Sequence, residues 1–163
     1  MGWGEVGNTV CPIARSLAVV GDRWTVLILR ELFLGARRFE DFQTQTGMSS
    51  HLLSTRLKRL ERDGIVKRRK YSKHPPRHEY RLTDKGLDLY PMLLSLKNWG
   101  EKWGNLEKRA DPALVITHRG CGKRTGLKVR CQSCGEPFGA RDALVKLGTA
   151  FTAERKMRCD AAR

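Results

Sequence analysis

The sequence predicts a mainly α-helical chain with one small β hairpin. Three observations point there. Apolar residues recur at helical spacing through the first 64 positions, and each run stops at a glycine. Two short basic segments then flank a Pro-Pro loop, and helical spacing returns from residue 84 to about 108. A chain of 163 residues makes one domain, or one domain with a small appendage.

The elements follow in order. Residues 1–10, rich in glycine, read as a flexible arm. Cys11-Pro12 opens a first helix with Ile13, Leu17 and Val20 along one side, Pro being suited to the first helical position. Gly21-Asp22 breaks it. The stretch WTVLILRELFLG, residues 24–35, is apolar on most faces, which marks a buried helix. A short helix over about 38–46 turns Phe39 and Phe42 inward. Gly47 makes the next turn, and Ser49 caps a fourth helix whose inner stripe is Met48, Leu53, Leu57 and Leu60 and whose stop is Gly64. Two helices joined by a short Gly-containing turn, the second one basic, form a helix-turn-helix. Strands over 65–71 and 79–82 come next, with Ile65, Tyr71, Tyr80 and Leu82 toward the core. A hairpin in this place is a wing. Thr83 then caps a long helix from 84 to about 108. Leu87, Tyr90, Leu94, Leu96, Trp99 and Trp103 leave that helix apolar on more than one side, so one face requires a partner. The winged helix-turn-helix thus occupies residues 11–110. A Gly- and Cys-rich, zinc-ribbon-like extension follows over 111–147, and residues 148–163 form a basic tail with no strong period, expected to be mobile.

Charge narrows the function. The net charge is +15, yet residues 1–50 are neutral, with five basic and five acidic side chains. Residues 51–81 carry eleven Lys and Arg against three Asp and Glu. A basic stripe of this kind is the footprint of a nucleic-acid binder. No apolar run approaches membrane-span length and no signal-like N-terminus precedes the helices, so a cytoplasmic protein is expected. The odd number of cysteines, at 11, 121, 131, 134 and 159, argues against a disulfide framework.

The motifs CPIARSLAVVGDRWTVLILRELFLGARRFEDF, GMSSHLLSTRLKRLERDGIV, YSKHPPRHEYRLTDKG and LKNWGEKW occur in this order over residues 11–103. In that order and spacing they resemble the DNA-binding domain of HxlR-type transcriptional regulators, winged helix-turn-helix proteins related to the MarR group. The resemblance implies a homodimer built through the first helix and the long helix after the wing. It also implies a palindromic operator in double-stranded DNA, with repression or activation of nearby genes. Some members use a cysteine at the position of Cys11 to sense oxidants or electrophiles.

Each site has its own chemistry. A major groove about 12 Å wide admits one helix, and short polar or basic side chains near its N-terminus reach base edges. Ser50, His51 and Ser54 are the candidates for base contacts. Ser49 and the helix N-terminus suit a phosphate, and Lys58, with Arg56, suits the backbone. Thr55 and Arg59 complete the outward face. In the wing, Lys73, His74 and Arg77 sit on a loop stiffened by Pro75 and Pro76, and Arg77 is the candidate for the minor groove. Cys11 reads two ways: a thiol at a helix N-terminus, where thiolates are favoured, or a small buried apolar residue at a dimer interface. His118, Cys121, Cys131 and Cys134 read as a set for one structural Zn²⁺ per chain, against a metal-free hairpin or a Cys131–Cys134 redox pair. A deaminase site needs His-x-Glu, and Gly120 stands where the Glu belongs, so no enzyme is expected. The expectation is a DNA-binding regulator, a repressor released by oxidant or electrophile, its effector unidentified. A protein- or RNA-interaction module using the winged helix as a dimer scaffold is the alternative.

Overall fold

The structure, a computed structural model, describes residues 6–72, 77–104 and 112–161. Four helices come first: α1 (Pro12–Val20), α2 (Arg23–Leu34), α3 (Phe39–Thr46) and α4 (Ser50–Arg62). An antiparallel hairpin of β1 (Val66–Ser72) and β2 (Arg77–Leu82) follows, then α5 (Asp84–Leu87), α6 (Tyr90–Trp103) and α7 (Thr149–Ala161). The chain forms two compact units. One comprises residues 1–88 with 146–163, and the other residues 89–145. The first unit is the winged helix-turn-helix.

Its core is built from the stripes the sequence displays. Ile28, Leu29 and Leu32 of α2, Phe42 of α3, and Leu53, Leu57 and Leu60 of α4 are buried together with Met48, Ile65 and Val66. Each such side chain contributes about 1.5–3 kcal/mol when fully withdrawn from water. Local chemistry sets the helix ends. Gly47 adopts a left-handed φ of 69°, which carries the chain from α3 to Ser49, and Ser49 Oγ accepts from the Leu52 amide at 3.3 Å. Asp22 does two things at once. Its Oδ1 accepts from the amides of Trp24 and Thr25 at 3.0 and 3.1 Å, capping α2, while its Oδ2 accepts from Arg56 of α4 at 3.0 Å.

The hairpin runs from Val66 opposite Leu82 to Lys70 opposite His78, where the register shifts. It is tied to the start of α3, because the Tyr80 amide donates to the Arg37 carbonyl at 2.8 Å and Tyr80 meets Phe42 edge-on at 6.1 Å. Tyr71 was expected in the core and is not there. The shift between Lys70 and Ser72 takes it out of the ladder, leaving it 41% exposed with the Arg38 guanidinium 5.1 Å from its ring centre.

Two further expectations are corrected. The long helix from residue 84 is two helices, interrupted at Asp88-Leu89. Pro91 has no N–H to donate to the Leu87 carbonyl and its ring crowds that position, so a new helix must begin there. Its expected end, beyond Gly104, lies outside the described residues. The tail is also ordered, since residues 149–161 form α7. Glu154 of that helix accepts from Thr9 Oγ1 at 2.6 Å and from the Val10 amide at 2.8 Å, and it pairs with Arg158. The described part of the arm is therefore held.

Two apolar faces stay bare. On α1 only Val20 is buried, while Ile13 is 71% and Leu17 46% exposed. On α6, Leu96, Trp99 and Trp103 are all exposed.

Asp22→Ala removes both a helix cap and an ion pair, and should cost about 1–2 kcal/mol in urea unfolding. Asp22→Asn, which caps well without the charge, should recover most of that. The Thr9 hydroxyl, then the Val10 amide, hold the Glu154 carboxyl below the usual carboxylate range, with Arg158 assisting. A depressed pKa stabilises above the unfolded value and is lost as pH falls through the folded one. Hydrogen exchange at Val10, compared between wild type and Glu154→Gln, should show the protection at neutral pH only in the wild type. It should disappear from the wild type on acidification.

Candidate nucleic-acid interface

The outward face of α4 begins with Ser50 and His51, both exposed, and continues through Thr55 to Lys58. Ser54 is half-buried. Ser50 Oγ accepts from Gln43 of α3 at 2.8 Å, so the two helices of the motif are joined at the head of this face. Thr55 Oγ1 donates to the His51 carbonyl at 3.0 Å, a back-bond that leaves its lone pairs outward.

Two arginines beside this face are also bonded inward. Arg56 turns inward to Asp22, and Arg59 donates to the Ala18 carbonyl of α1 and lies 3.7 Å from Asp63. Arg59 is half-buried, its side chain 37% exposed, and it still lines the surface hollow beside Thr55 and Lys58. Arg62, which the sequence reading passed over, joins this surface. Its side chain is 73% exposed, and with Thr55 and Lys58 it borders a shallow hollow of about 400 Å³. The spacing i, i+4 from Lys58 was the available signal.

Beside α4, Lys67, Arg68, Arg69 and Lys70 of β1 are exposed without exception. On a strand, successive side chains alternate between faces, so β1 carries cations on both of its sides. Arg77 is exposed at the start of β2. Lys73 and His74, the other wing candidates, lie outside the described residues. Cys11 stands at the N-cap of α1, half-buried, its amide donating to Thr9 Oγ1 at 3.1 Å. The second unit brings His118 Nδ1 within 3.3 Å of Cys121 Sγ. It also sets Cys131 against Cys134, whose amide, with that of Ser133, holds the Cys131 thiol below its ordinary pKa. Among the described residues these two pairs are not gathered into one group of metal-binding side chains.

A two-helix motif with an exposed polar head, flanked by a basic hairpin, is the arrangement that a DNA groove accepts. The HxlR-like helix-turn-helix family matches residues 19–108. The chain belongs to that family. Curated relatives of this HxlR-like protein carry the description HTH-type transcriptional regulator. Rv3095 of Mycobacterium tuberculosis is 39% identical over 142 residues, spanning 87% of this chain and 89% of the relative. YdeP of Bacillus subtilis is 37% identical over 94 residues, spanning 57% and 73%. Among solved structures, that of PA1607, described as a transcription factor, superposes with a TM-score of 0.75 at 35% identity, covering 87% of this chain and 98% of that one. The redox regulator HypR in its reduced form gives 0.55 at 34% identity, covering 58% and 95%. The HxlR-like protein is a transcriptional regulator of the helix-turn-helix type, a class that binds DNA and is not an enzyme class. Among its described residues no helix is long and apolar enough to cross a membrane.

The two fates of the α4 cations can be separated. Lys58→Ala should weaken binding to all DNA sequences about equally and flatten the log–log salt dependence by about one unit. Arg59→Ala should leave that slope unchanged and lower the unfolding midpoint instead. Filter binding across salt concentrations, paired with denaturation, reads both.

Proposed function

We propose that the protein is a cytoplasmic repressor that binds a palindromic operator as a homodimer and is released by oxidants or electrophiles. The observation carrying the DNA-reading part is the exposed polar head of α4 beside four consecutive solvent-facing cations of β1. Ser50, His51 and Ser54 take the base edges. Ser49, Thr55, Lys58 and Arg77 take phosphates and the flanking groove, a role also assigned to Lys73 and His74, which lie outside the described residues. Sequence is then read by short side chains, and affinity comes from charge.

The bare apolar faces support the dimer. Water-exposed Ile13 and Leu17 on α1, and Trp99 and Trp103 on α6, are more apolar surface than a monomer gains by showing. A two-fold pair would present its α4 helices to half-sites about 34–36 Å apart, or a multiple of that, which is why a palindrome follows. Release is argued from Cys11. It opens α1, the helix carrying one of those faces, so a modification there falls on the element that sets the spacing of the two reading heads. The redox regulator HypR among the similar structures is in keeping with such a route.

A gel shift at moderate salt, using the DNA upstream of the protein's own gene against unrelated competitor, tests the main reading. Equal retention of both would sink it. Ile13→Glu should convert the dimer to monomer in sedimentation and cost at least tenfold in operator affinity. Cys11→Ser should hold its operator through treatment with a quinone that releases the wild type, and release of both proteins alike would remove Cys11 from the mechanism.

A further inference from the structure

The second unit contains the same turn twice, thirteen residues apart. In the first copy the Gly122 amide donates to the His118 carbonyl at 2.9 Å, and the His118 amide donates to Lys123 at 3.0 Å. In the second copy the Gly135 amide donates to the Cys131 carbonyl at 2.9 Å, and the Cys131 amide donates to Glu136 at 2.8 Å. A β-bridge flanks each turn, Thr117 with Arg124 and Arg130 with Pro137. Gly122 and Gly135 have left-handed φ values of 68° and 77°, which a residue with a Cβ adopts only under strain. Each turn therefore ends in a glycine placed directly after its second metal-capable residue. Each brings two metal-capable side chains together, His118 with Cys121 and Cys131 with Cys134.

Apolar packing does not hold these turns in place. No residue described between 112 and 145 is buried, and Val115, Val129 and Phe138 are more than 40% exposed. All the cysteines are free thiols. A segment this small, without core or disulfide, ordinarily requires a metal. Three sulfurs and one imidazole form a closed tetrahedral set that suits Zn²⁺ and leaves no position for catalysis.

We propose that His118, Cys121, Cys131 and Cys134 bind one structural Zn²⁺ that draws the two turns together. The three thiols lose their protons to solvent as the metal binds, and no electron transfer is involved. The site also bears on α6. Asn98 of that helix donates to the carbonyl of Leu127, between the turns, at 3.3 Å. Closing the turns on a metal would steady the helix that exposes Trp99 and Trp103.

The test uses the full-length protein, without a histidine tag, kept reduced. After incubation with Zn²⁺ and desalting it should retain about one equivalent per chain. Co²⁺ in place of zinc should give the strong visible bands of a tetrahedral site and the near-ultraviolet absorption of thiolate ligation. Cys121→Ser and Cys134→Ser should each lower metal retention at least tenfold, whereas Cys159→Ser, on α7, should retain as much as wild type. Less than half an equivalent in the wild type, octahedral Co²⁺ bands, or equal loss in Cys159→Ser would overturn the proposal. So would a Cys131–Cys134 disulfide that persists under reductant. Metal retention is read without DNA, so its failure would not touch the regulator reading.

Discussion

The carboxylate of Asp22 is the joint on which the reading head depends. A helix such as α4, polar over most of its surface, gains a defined rotation only from what it buries. Leu53, Leu57 and Leu60 provide the apolar stripe, which tolerates some slip. The directional restraint is Arg56, reaching across 34 residues to the oxygen that Asp22 leaves after capping α2. Because one side chain both starts the core helix and holds the reading helix, the two cannot shift independently. Arg59, bound to the end of α1, adds a second restraint on the same side. The arrangement has a cost: the Nε atoms of Arg56 and Arg59 are buried and make no hydrogen bond among the described residues.

This division of labour was only half legible beforehand. The helix-turn-helix itself is written in local terms: a serine cap, a glycine turn, a leucine every three or four residues. Such signals act within one or two helical turns, and so they survive in the sequence. The inward turn of Arg56 and Arg59 depends on acceptors 34 and 41 positions away. Four cations along α4 look alike until those acceptors are in place, which is why the inward bonds of Arg56 and Arg59 were not foreseen and Arg62 was passed over. Tyr71 was misplaced for a similar reason, since alternation along a strand presumes an unbroken register. The helix break at Asp88-Leu89 was, in contrast, announced by Pro91 and could have been read. Helix α7 had too little apolar periodicity to announce itself, and its anchor is a carboxylate meeting residues at the other end of the chain.

The extension shows how a repeat can hide in plain text. HRGCG and CQSCG share two letters in order, and the hydrogen-bond pattern makes them one device used twice. The relative from Mycobacterium tuberculosis aligns over 142 residues, so the likeness necessarily runs past residue 108, where the family match stops. The likeness to that relative thus takes in a good part of the extension.

The contact between Glu154 and Thr9 has one more consequence, concerning the order of synthesis. The first unit is discontinuous: its opening 88 residues are made early and its closing helix last, with the whole second unit translated in between. Every buried apolar residue described lies within that early stretch. The strip of chain leading into Cys11, however, must wait some 145 residues for its acceptor. During that interval Thr9 and the Val10 amide lack the carboxylate that holds them.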